Sequence, residues 1–218
     1  MRIEFYDTTL RDGAQAAGIS YSLADKKQIF SLLSSIGIDL VEGGDPASNP
    51  KDAEFFSECV SPRLAAFGST CRKNTAAECD EGLNKLIATG AQTVCIFGKA
   101  SPRHVSEVLG VSEEENLGMI SRSVRFLSSH GRRVIFDAEH FYDGADEDMA
   151  YAMRCLECAR EAGADTLVLC DTNGGTFPDK AYKLTKAVVE AFPEQKIGVH
   201  FHNDAGTAVA SSLAGVSA

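Results

Sequence analysis

The sequence predicts an α/β protein with the TIM (β/α)8 barrel fold, of which about seven strands are present. Short apolar runs alternate with segments of helical periodicity along all 218 residues, a pattern typical of parallel strands joined by helices. Polar side chains follow nearly every predicted strand, and in a barrel these strand ends form one rim. No GxGxxG follows the first strand, which weakens an open dinucleotide-binding sheet.

Each predicted strand is a short run rich in Val, Ile, Leu or Phe, as expected for parallel strands covered on both faces. The strands lie near residues 3–7, 39–43, 63–68, 93–98, 134–139, 166–171 and 196–202. Helices are predicted near residues 22–36, 50–59, 80–89, 112–130, 146–162 and 178–192, with a last one near 205–216. Ser22 and Asp25 resemble a capping box, and glycines such as Gly131 and Gly163 stand where helices should end.

Composition excludes several classes of function. The net charge of −10 argues against a general nucleic-acid or membrane-surface binder. No apolar run reaches the roughly 18 residues of a membrane span, and the amino terminus lacks the apolar core of a signal peptide. The seven cysteines are scattered along core-like segments, so we expect a cytoplasmic protein without a disulfide framework.

A metal site is indicated by two segments near opposite ends of the chain. They read YDTTLRDGAQ at residues 6–15 and GVHFHND at residues 198–204. His200 and His202 are two apart in a predicted strand, so both imidazoles point to the same face. With Asp12 at the end of the first strand, they form a three-ligand site for a divalent metal. The alternative is that both histidines are polar core residues that bind no metal.

The same two segments resemble the signature of a family of acyl-transferring and acyl-cleaving barrels, the DRE-TIM metallolyase superfamily. This superfamily includes isopropylmalate, homocitrate and citramalate synthases, hydroxymethylglutaryl-CoA lyase and carboxyltransferase domains. Segments after the inner strands resemble the citramalate synthase branch along essentially the whole chain, among them VEGGDPASNPKDAEFF, FGSTCRKNT, IFGKAS, DAEHFYDG and CDTNGGTFP. The residues 138–141 replace a Ser-x-Glu-Asp type of segment, which disfavours isopropylmalate and homocitrate as products without excluding them.

The resemblance implies a Claisen-type condensation of acetyl-CoA with pyruvate, giving (R)-citramalate and CoA on a route to isoleucine. A divalent metal (Mn, Zn, Co or Mg) held by Asp12, His200 and His202 would act as a Lewis acid on the keto acid. Arg11 and Glu139 match catalytic positions, and together with Thr172 they would contact the keto acid. Arg11 could instead form a structural ion pair on the rim. Glu139 could instead orient a metal ligand.

The resemblance also implies that residues 1–218 are the amino-terminal portion of a catalytic barrel domain. Typical TIM barrels have about 250 residues and eight strands, so the eighth strand and a carboxy-terminal regulatory region are expected beyond residue 218. We expect the catalytic base there as well, so this portion should bind metal without turnover. The full-length protein is expected to be a homodimer. A lyase or aldolase of the same fold, and a non-catalytic metal-binding or regulatory subunit, are the alternatives.

The sequence leaves several secondary positions open. Phe67 and Phe97 could bound a small pocket for the keto acid or pack in the barrel core. Lys99 follows the fourth strand and could join a basic patch for the CoA thioester, together with neighbouring Arg and Lys residues. His104 is expected at the surface, whereas His140 neighbours Glu139 and is a candidate for a role in the site.

Overall fold

The computed structural model describes residues 2–218 and contains a sheet of seven parallel strands in the order in which they follow along the chain. The strands are β1 (Tyr6–Asp7), β2 (Leu40–Gly44), β3 (Leu64–Ser69), β4 (Thr93–Lys99), β5 (Arg133–Glu139), β6 (Thr166–Asp171) and β7 (Lys196–Phe201). Sequential order with parallel pairing is the arrangement of a TIM barrel, and β1 and β7 form the two edges. The predicted fold, an incomplete (β/α)8 barrel, is confirmed.

The helices follow the predicted alternation. They are α1 (Leu23–Ser35), α2 (Pro50–Glu58), α3 (Glu81–Ala88), α4 (Pro102–His104), α5 (Glu113–Ser129), α6 (Phe141–Ala162), α7 (Pro178–Ala191) and α8 (Ala208–Ser217). The sequence did not predict α4, which continues as a π-helix over Val105–Leu109. It also placed the start of α6 five residues too late, because α6 begins at Phe141 and bends at Asp148.

Local capping explains where several helices begin and end. The predicted capping box is present, since Ser22 accepts a hydrogen bond from the Asp25 N–H and the Asp25 side chain accepts one from the Ser22 N–H. Asp80 and Ser112 cap α3 and α5 by accepting from a backbone N–H of the first turn. At the other end of α6, Gly163 has a φ of 104°, a left-handed conformation that suits glycine, and the helix stops there as predicted.

The sheet separates two apolar cores. The larger core lies between the strands and the surrounding helices. The smaller one fills the barrel interior with Leu40, Phe67, Cys95, Ile135, Val168 and Cys170, against which Tyr6 and Phe97 pack. The rings of Phe67 and Phe97 stack with centroids 5.5 Å apart. Both phenylalanines therefore belong to the barrel core, directly below the rim.

A carboxylate ties the first strand to the rest of the sheet at the end opposite the rim. Glu4, just before β1, accepts hydrogen bonds from Arg133 of β5 and Lys196 of β7, each over 2.9 Å. One anion between two cations from distant strands holds the two edges of the sheet near each other. This contact helps to bring the chain after β1 close to the end of β7, where the predicted metal ligands lie.

A buried ion pair connects α1 to the following βα unit. Lys26 and Asp52 are both buried and form an ion pair, and Lys26 also donates to the carbonyl of Gly43 over 2.9 Å. Asp52 accepts in addition from the N–H of Asp45 over 2.9 Å. Gly44 lies against Asp52 with a φ of 136°, so a side chain at this position would be strained and would collide with the carboxylate.

Two expectations from composition can be compared with the structure. The cysteines are all free, in agreement with a protein that has no disulfide framework. Within residues 2–218, none of the helices has both the length and the apolar character that crossing a bilayer requires.

Candidate metal centre

The three predicted metal ligands converge where the chain leaves β1 and β7. Asp12 precedes a short 3-10 turn, His200 lies in β7, and His202 follows its end. Oδ2 of Asp12 is 3.3 Å from Nε2 of each histidine. The two imidazole rings stack with centroids 5.1 Å apart, as expected for residues on one face of a strand. Ligand atoms of all three residues lie within 4.8 Å of one another.

The donor set and its exposure fit a divalent ion. Bonds of about 2.0–2.2 Å from oxygen and nitrogen bring donors to roughly 3.3 Å from one another, the separation between Asp12 and each histidine. Imidazole with carboxylate suits Zn, Mn or Co. The side chains of His200 and His202 are 23% and 34% exposed. An ion between them would keep positions open for a substrate.

Electrostatics favour a charged Asp12. A hydrogen bond from His200, with help from Arg11, lowers the pKa of Asp12 to about 2. Burial lowers the pKa of His200, but the hydrogen bond to Asp12 and the charge of Asp137 outweigh it, so that the pKa of His200 is raised. These partners favour the protonated form of His200, and a bound cation would take the place of that proton.

Arg11 is a fixed cation beside these ligands. Its Nε donates to Oε2 of Glu42 over 2.6 Å, and Tyr6 donates to the other carboxylate oxygen over 2.8 Å. The guanidinium carbon lies 3.7 Å from the centroid of the Phe67 ring. Nη1 of Arg11 is 3.4 Å from Oδ1 of Asp12. The structural ion pair considered for Arg11 therefore exists, and it holds the guanidinium next to the metal ligands.

Glu42 is a functional candidate to which sequence reasoning gave no role. It is fully buried in β2, and this burial raises its pKa to about 7 although Arg11 and Tyr6 act in the opposite direction. The available signal was an acidic residue within the otherwise apolar strand LVEGG. A carboxylate in that position needs a buried partner, and the structure shows that the partner is Arg11.

Glu139 and Thr172 lie on the neighbouring part of the rim, at the ends of β5 and β6. Glu139 pairs in register with Lys99 and forms an ion pair with it. Lys99 is thus engaged inside the rim, so it does not belong to an open basic patch. Oγ1 of Thr172 accepts a hydrogen bond from the N–H of His140 over 2.9 Å. His140 thus connects the two predicted substrate contacts, because it directly follows Glu139 in the chain and its N–H donates to Thr172.

His140 and His104 form a stacked pair beside Glu139. Their ring centroids are 3.8 Å apart, and His140 is buried in a left-handed backbone conformation with a φ of 59°. Such a conformation is strained for a non-glycine residue and occurs often near functional sites. His104 is only partly exposed, and its Nδ1 atom is buried where α4 packs against α6.

We expect the pair to make stability depend on pH. Burial lowers the pKa of His140, with a further contribution from His104. The unfolded chain then binds a proton near the ordinary pKa of about 6.5 while the folded chain does not. Stability is therefore fully present above that pH and falls below it. In His140→Asn, where asparagine tolerates the left-handed conformation, this acid-induced loss should be smaller.

Urea unfolding at about pH 5.5 and pH 7.5 measures the effect. His130→Asn is a matched control, because His130 is exposed at the end of α5. If the wild-type protein and His140→Asn lost the same free energy of unfolding on acidification, the buried imidazole would not be responsible.

The chain belongs to the HMGL-like family, whose model matches residues 2–218. It is 51% identical over 221 residues to an (R)-citramalate synthase from Sulfolobus acidocaldarius, covering 99% of this chain and 42% of that enzyme. A 2-isopropylmalate synthase from the same organism is 34% identical over 218 residues, covering 100% of this chain and 55% of that enzyme.

Solved structures agree on the fold. A hydroxymethylglutaryl-CoA lyase from Bacillus subtilis superposes with a TM-score of 0.82 at 21% sequence identity, covering 99% of this chain and 74% of that one. The resemblance to citramalate synthases found in the sequence motifs is confirmed by the identity to those enzymes. The chain spans about two fifths of the length of the curated citramalate synthases it matches, 42% for three of them and 41% for two.

Proposed function

We propose that the protein containing residues 1–218 is a metal-dependent citramalate synthase. It condenses acetyl-CoA with pyruvate to (R)-citramalate and CoA, a reaction that leads toward isoleucine. The observation that supports this most is the convergence of Asp12, His200 and His202 beside Arg11, in a chain half identical to such an enzyme. Residues 1–218 are the catalytic barrel portion, the full-length protein works as a homodimer, and its location is the cytoplasm.

Three residues of the rim would hold the metal. Asp12, His200 and His202 would bind a divalent ion, which supplies Lewis acidity toward the oxygens of the keto acid. The ionised state of Asp12, kept by its low pKa, preserves the charge that such an ion needs. Both imidazoles are partly exposed, so a substrate can approach them from the solvent side.

Three further residues would contact the keto acid directly. Arg11 places a fixed positive charge where negative charge develops on the keto oxygen. Glu139 supplies an acidic contact at the end of β5, and Thr172 supplies a hydroxyl just after β6. Together, Glu139 and Thr172 orient the keto acid from the part of the rim next to the metal ligands of β7.

The reaction has three chemical stages. A base removes a proton from the methyl group of acetyl-CoA, the resulting enolate attacks the keto carbon of pyruvate, and water then cleaves the thioester to release CoA. Arg11 acts in the second stage, when the keto oxygen gains an electron pair. The base of the first stage is assigned to the part of the protein beyond residue 218. Residues 1–218 alone should bind metal without turnover.

The barrel interior supports a short keto acid. Phe67 and Phe97 stack in the barrel core below the rim, where they would bound the methyl group of the keto acid. A hydrophobic pocket separates substrates that differ by one methylene by about 1–3 kcal/mol, which is roughly a 10- to 200-fold difference in kcat/KM. We therefore expect pyruvate to be preferred over 2-oxobutyrate and over the branched keto acid that an isopropylmalate synthase uses.

The test uses the full-length protein with Mn²⁺, acetyl-CoA and a panel of 2-keto acids, and it measures free thiol release and the chirality of the product. Pyruvate should give the highest kcat/KM. Arg11→Lys should lower kcat by about 100- to 1,000-fold, because lysine cannot reproduce the paired geometry with Glu42. Arg125→Lys is the control, since Arg125 is exposed on α5 and contacts Ser121 of the same helix. Preference for another keto acid, or cleavage of a hydroxyacyl-CoA without condensation, would contradict the proposal.

A further inference from the structure

A second group of metal-ligating side chains lies inside the barrel, below the rim site. It consists of Asp137 in β5, Cys170 in β6 and His200 in β7, whose ligand atoms lie within 4.8 Å of one another. Cys170 is the register partner of His200 in the sheet, so the two side chains point to the same side of neighbouring strands. The group shares His200 with the rim site but includes neither Asp12 nor His202.

This interior group contains polar atoms that lack good partners. Asp137 is 5% exposed, and its Oδ1 atom is buried without a hydrogen bond. A buried oxygen of this kind costs about 1–3 kcal/mol when it has no partner. Cys170 is 6% exposed, and its thiol reaches only the carbonyl of Val168 over 3.9 Å. The carboxylate and the sulfur are therefore both available to a ligand between β5 and β7.

We propose that Asp137, Cys170 and His200 form a second metal site, which takes a thiophilic divalent ion such as Zn²⁺ or Co²⁺. Sulfur, nitrogen and oxygen donors together favour these ions over Mg²⁺ and Mn²⁺, which prefer oxygen-rich sites. A tetrahedral ion needs donors roughly 3.5 Å apart, and the three ligand atoms lie within 4.8 Å of one another. A water molecule completes the coordination.

Binding at this site exchanges protons for the ion. The ion takes thiolate and carboxylate as ligands, and the displaced protons pass to solvent. A neutral imidazole has one lone pair for a metal. An ion that takes His200 in the interior therefore weakens binding at the rim, and the two sites exclude each other.

Cobalt binding to the purified chain of residues 1–218 tests this site. Titration of Co²⁺ should produce a thiolate-to-cobalt charge-transfer band in the near ultraviolet, which only a sulfur ligand gives. Cys170→Ser should lose the band. Cys155→Ser is the matched control, because Cys155 is also buried but lies in α6, in the core outside the barrel, and it should keep the band. Asp12→Asn should keep it too, because Asp12 belongs to the rim site alone.

Circular dichroism and the Tm of each variant establish that it is folded. A wild-type chain that gives no charge-transfer band would overturn the second site, as would a band that survives in Cys170→Ser or disappears in Cys155→Ser. Mn²⁺ binding measured by electron paramagnetic resonance reports on the rim site separately. A wild-type chain that binds Mn²⁺ but shows no cobalt band would reject the interior site and leave the proposed function standing.

Discussion

Replacement of Asp12 by asparagine is expected to weaken Mn²⁺ binding by at least about a hundredfold. The substitution keeps the shape of the side chain but removes the only negative charge among the rim ligands, which otherwise consist of two imidazoles. Even residues that merely orient a metal ligand change affinity by about 10- to 100-fold, so the loss of a direct ligand should reach or exceed that range. Isothermal titration calorimetry on the wild-type and variant chains measures the difference.

Asp7→Asn provides a control for this experiment. Asp7 ends β1 near the same rim, but its side chain accepts a hydrogen bond from the N–H of Thr9 over 2.9 Å and is not among the metal-ligating groups. Its substitution should leave Mn²⁺ affinity within a few fold of the wild-type value. Equal affinities for Asp12→Asn and the wild-type chain would show that the carboxylate and the two imidazoles do not share an ion.

The largest loss of stability is expected for Lys26→Ala. Lys26 is 4% exposed, and its ammonium group pairs with Asp52 and donates to the carbonyl of Gly43. Removal of the cation leaves a buried carboxylate without its counter-charge, which typically costs about 3–5 kcal/mol. Denaturation by urea should show this loss in the free energy of unfolding. The effect concerns stability, because Lys26 is not among the rim ligands.

Lys27→Ala is the matched control on the same helix. Lys27 pairs with Glu58, but both side chains are exposed, at 42% and 44%. Exposed ion pairs contribute about 0–1 kcal/mol, because water and salt screen them. The contrast between adjacent lysines therefore isolates burial as the cause. Similar losses for the two variants would mean that the buried pair contributes no more than an ordinary surface contact.

Much of the barrel could be predicted from the chain because its signals are local. Ser22 and Asp25 are three residues apart and form their capping box regardless of distant contacts. The early start of α6 gave no such signal. The helix begins directly after His140, whose backbone is in the left-handed conformation. The His140 ring stacks on His104, and the His140 N–H donates to Thr172. Contacts between separate loops decide this boundary, and local periodicity does not report them.

The same distinction holds for the candidate site. The His200 and His202 pair could be found because alternation along one strand places both on one face, and Asp12 because strand ends meet at a rim. The roles of Glu42 and Asp137 could not be found in this way. Each depends on a partner from another strand, Arg11 for Glu42 and Cys170 with His200 for Asp137, and strand spacing alone does not identify such partners.

The clamp on Arg11 affects how the rim recognises anions. The guanidinium donates to Glu42 and lies over the Phe67 ring, and Tyr6 holds that carboxylate by donating to its other oxygen. A free arginine side chain has about 2 kcal/mol of rotamer entropy to lose when it is immobilised. In this protein that loss occurs when β1 and β2 assemble, before any anion arrives. Affinity for a small carboxylate then depends on how well it fits the rigidly held guanidinium. A flexible cation at the same position would discriminate less sharply between anions of different shape.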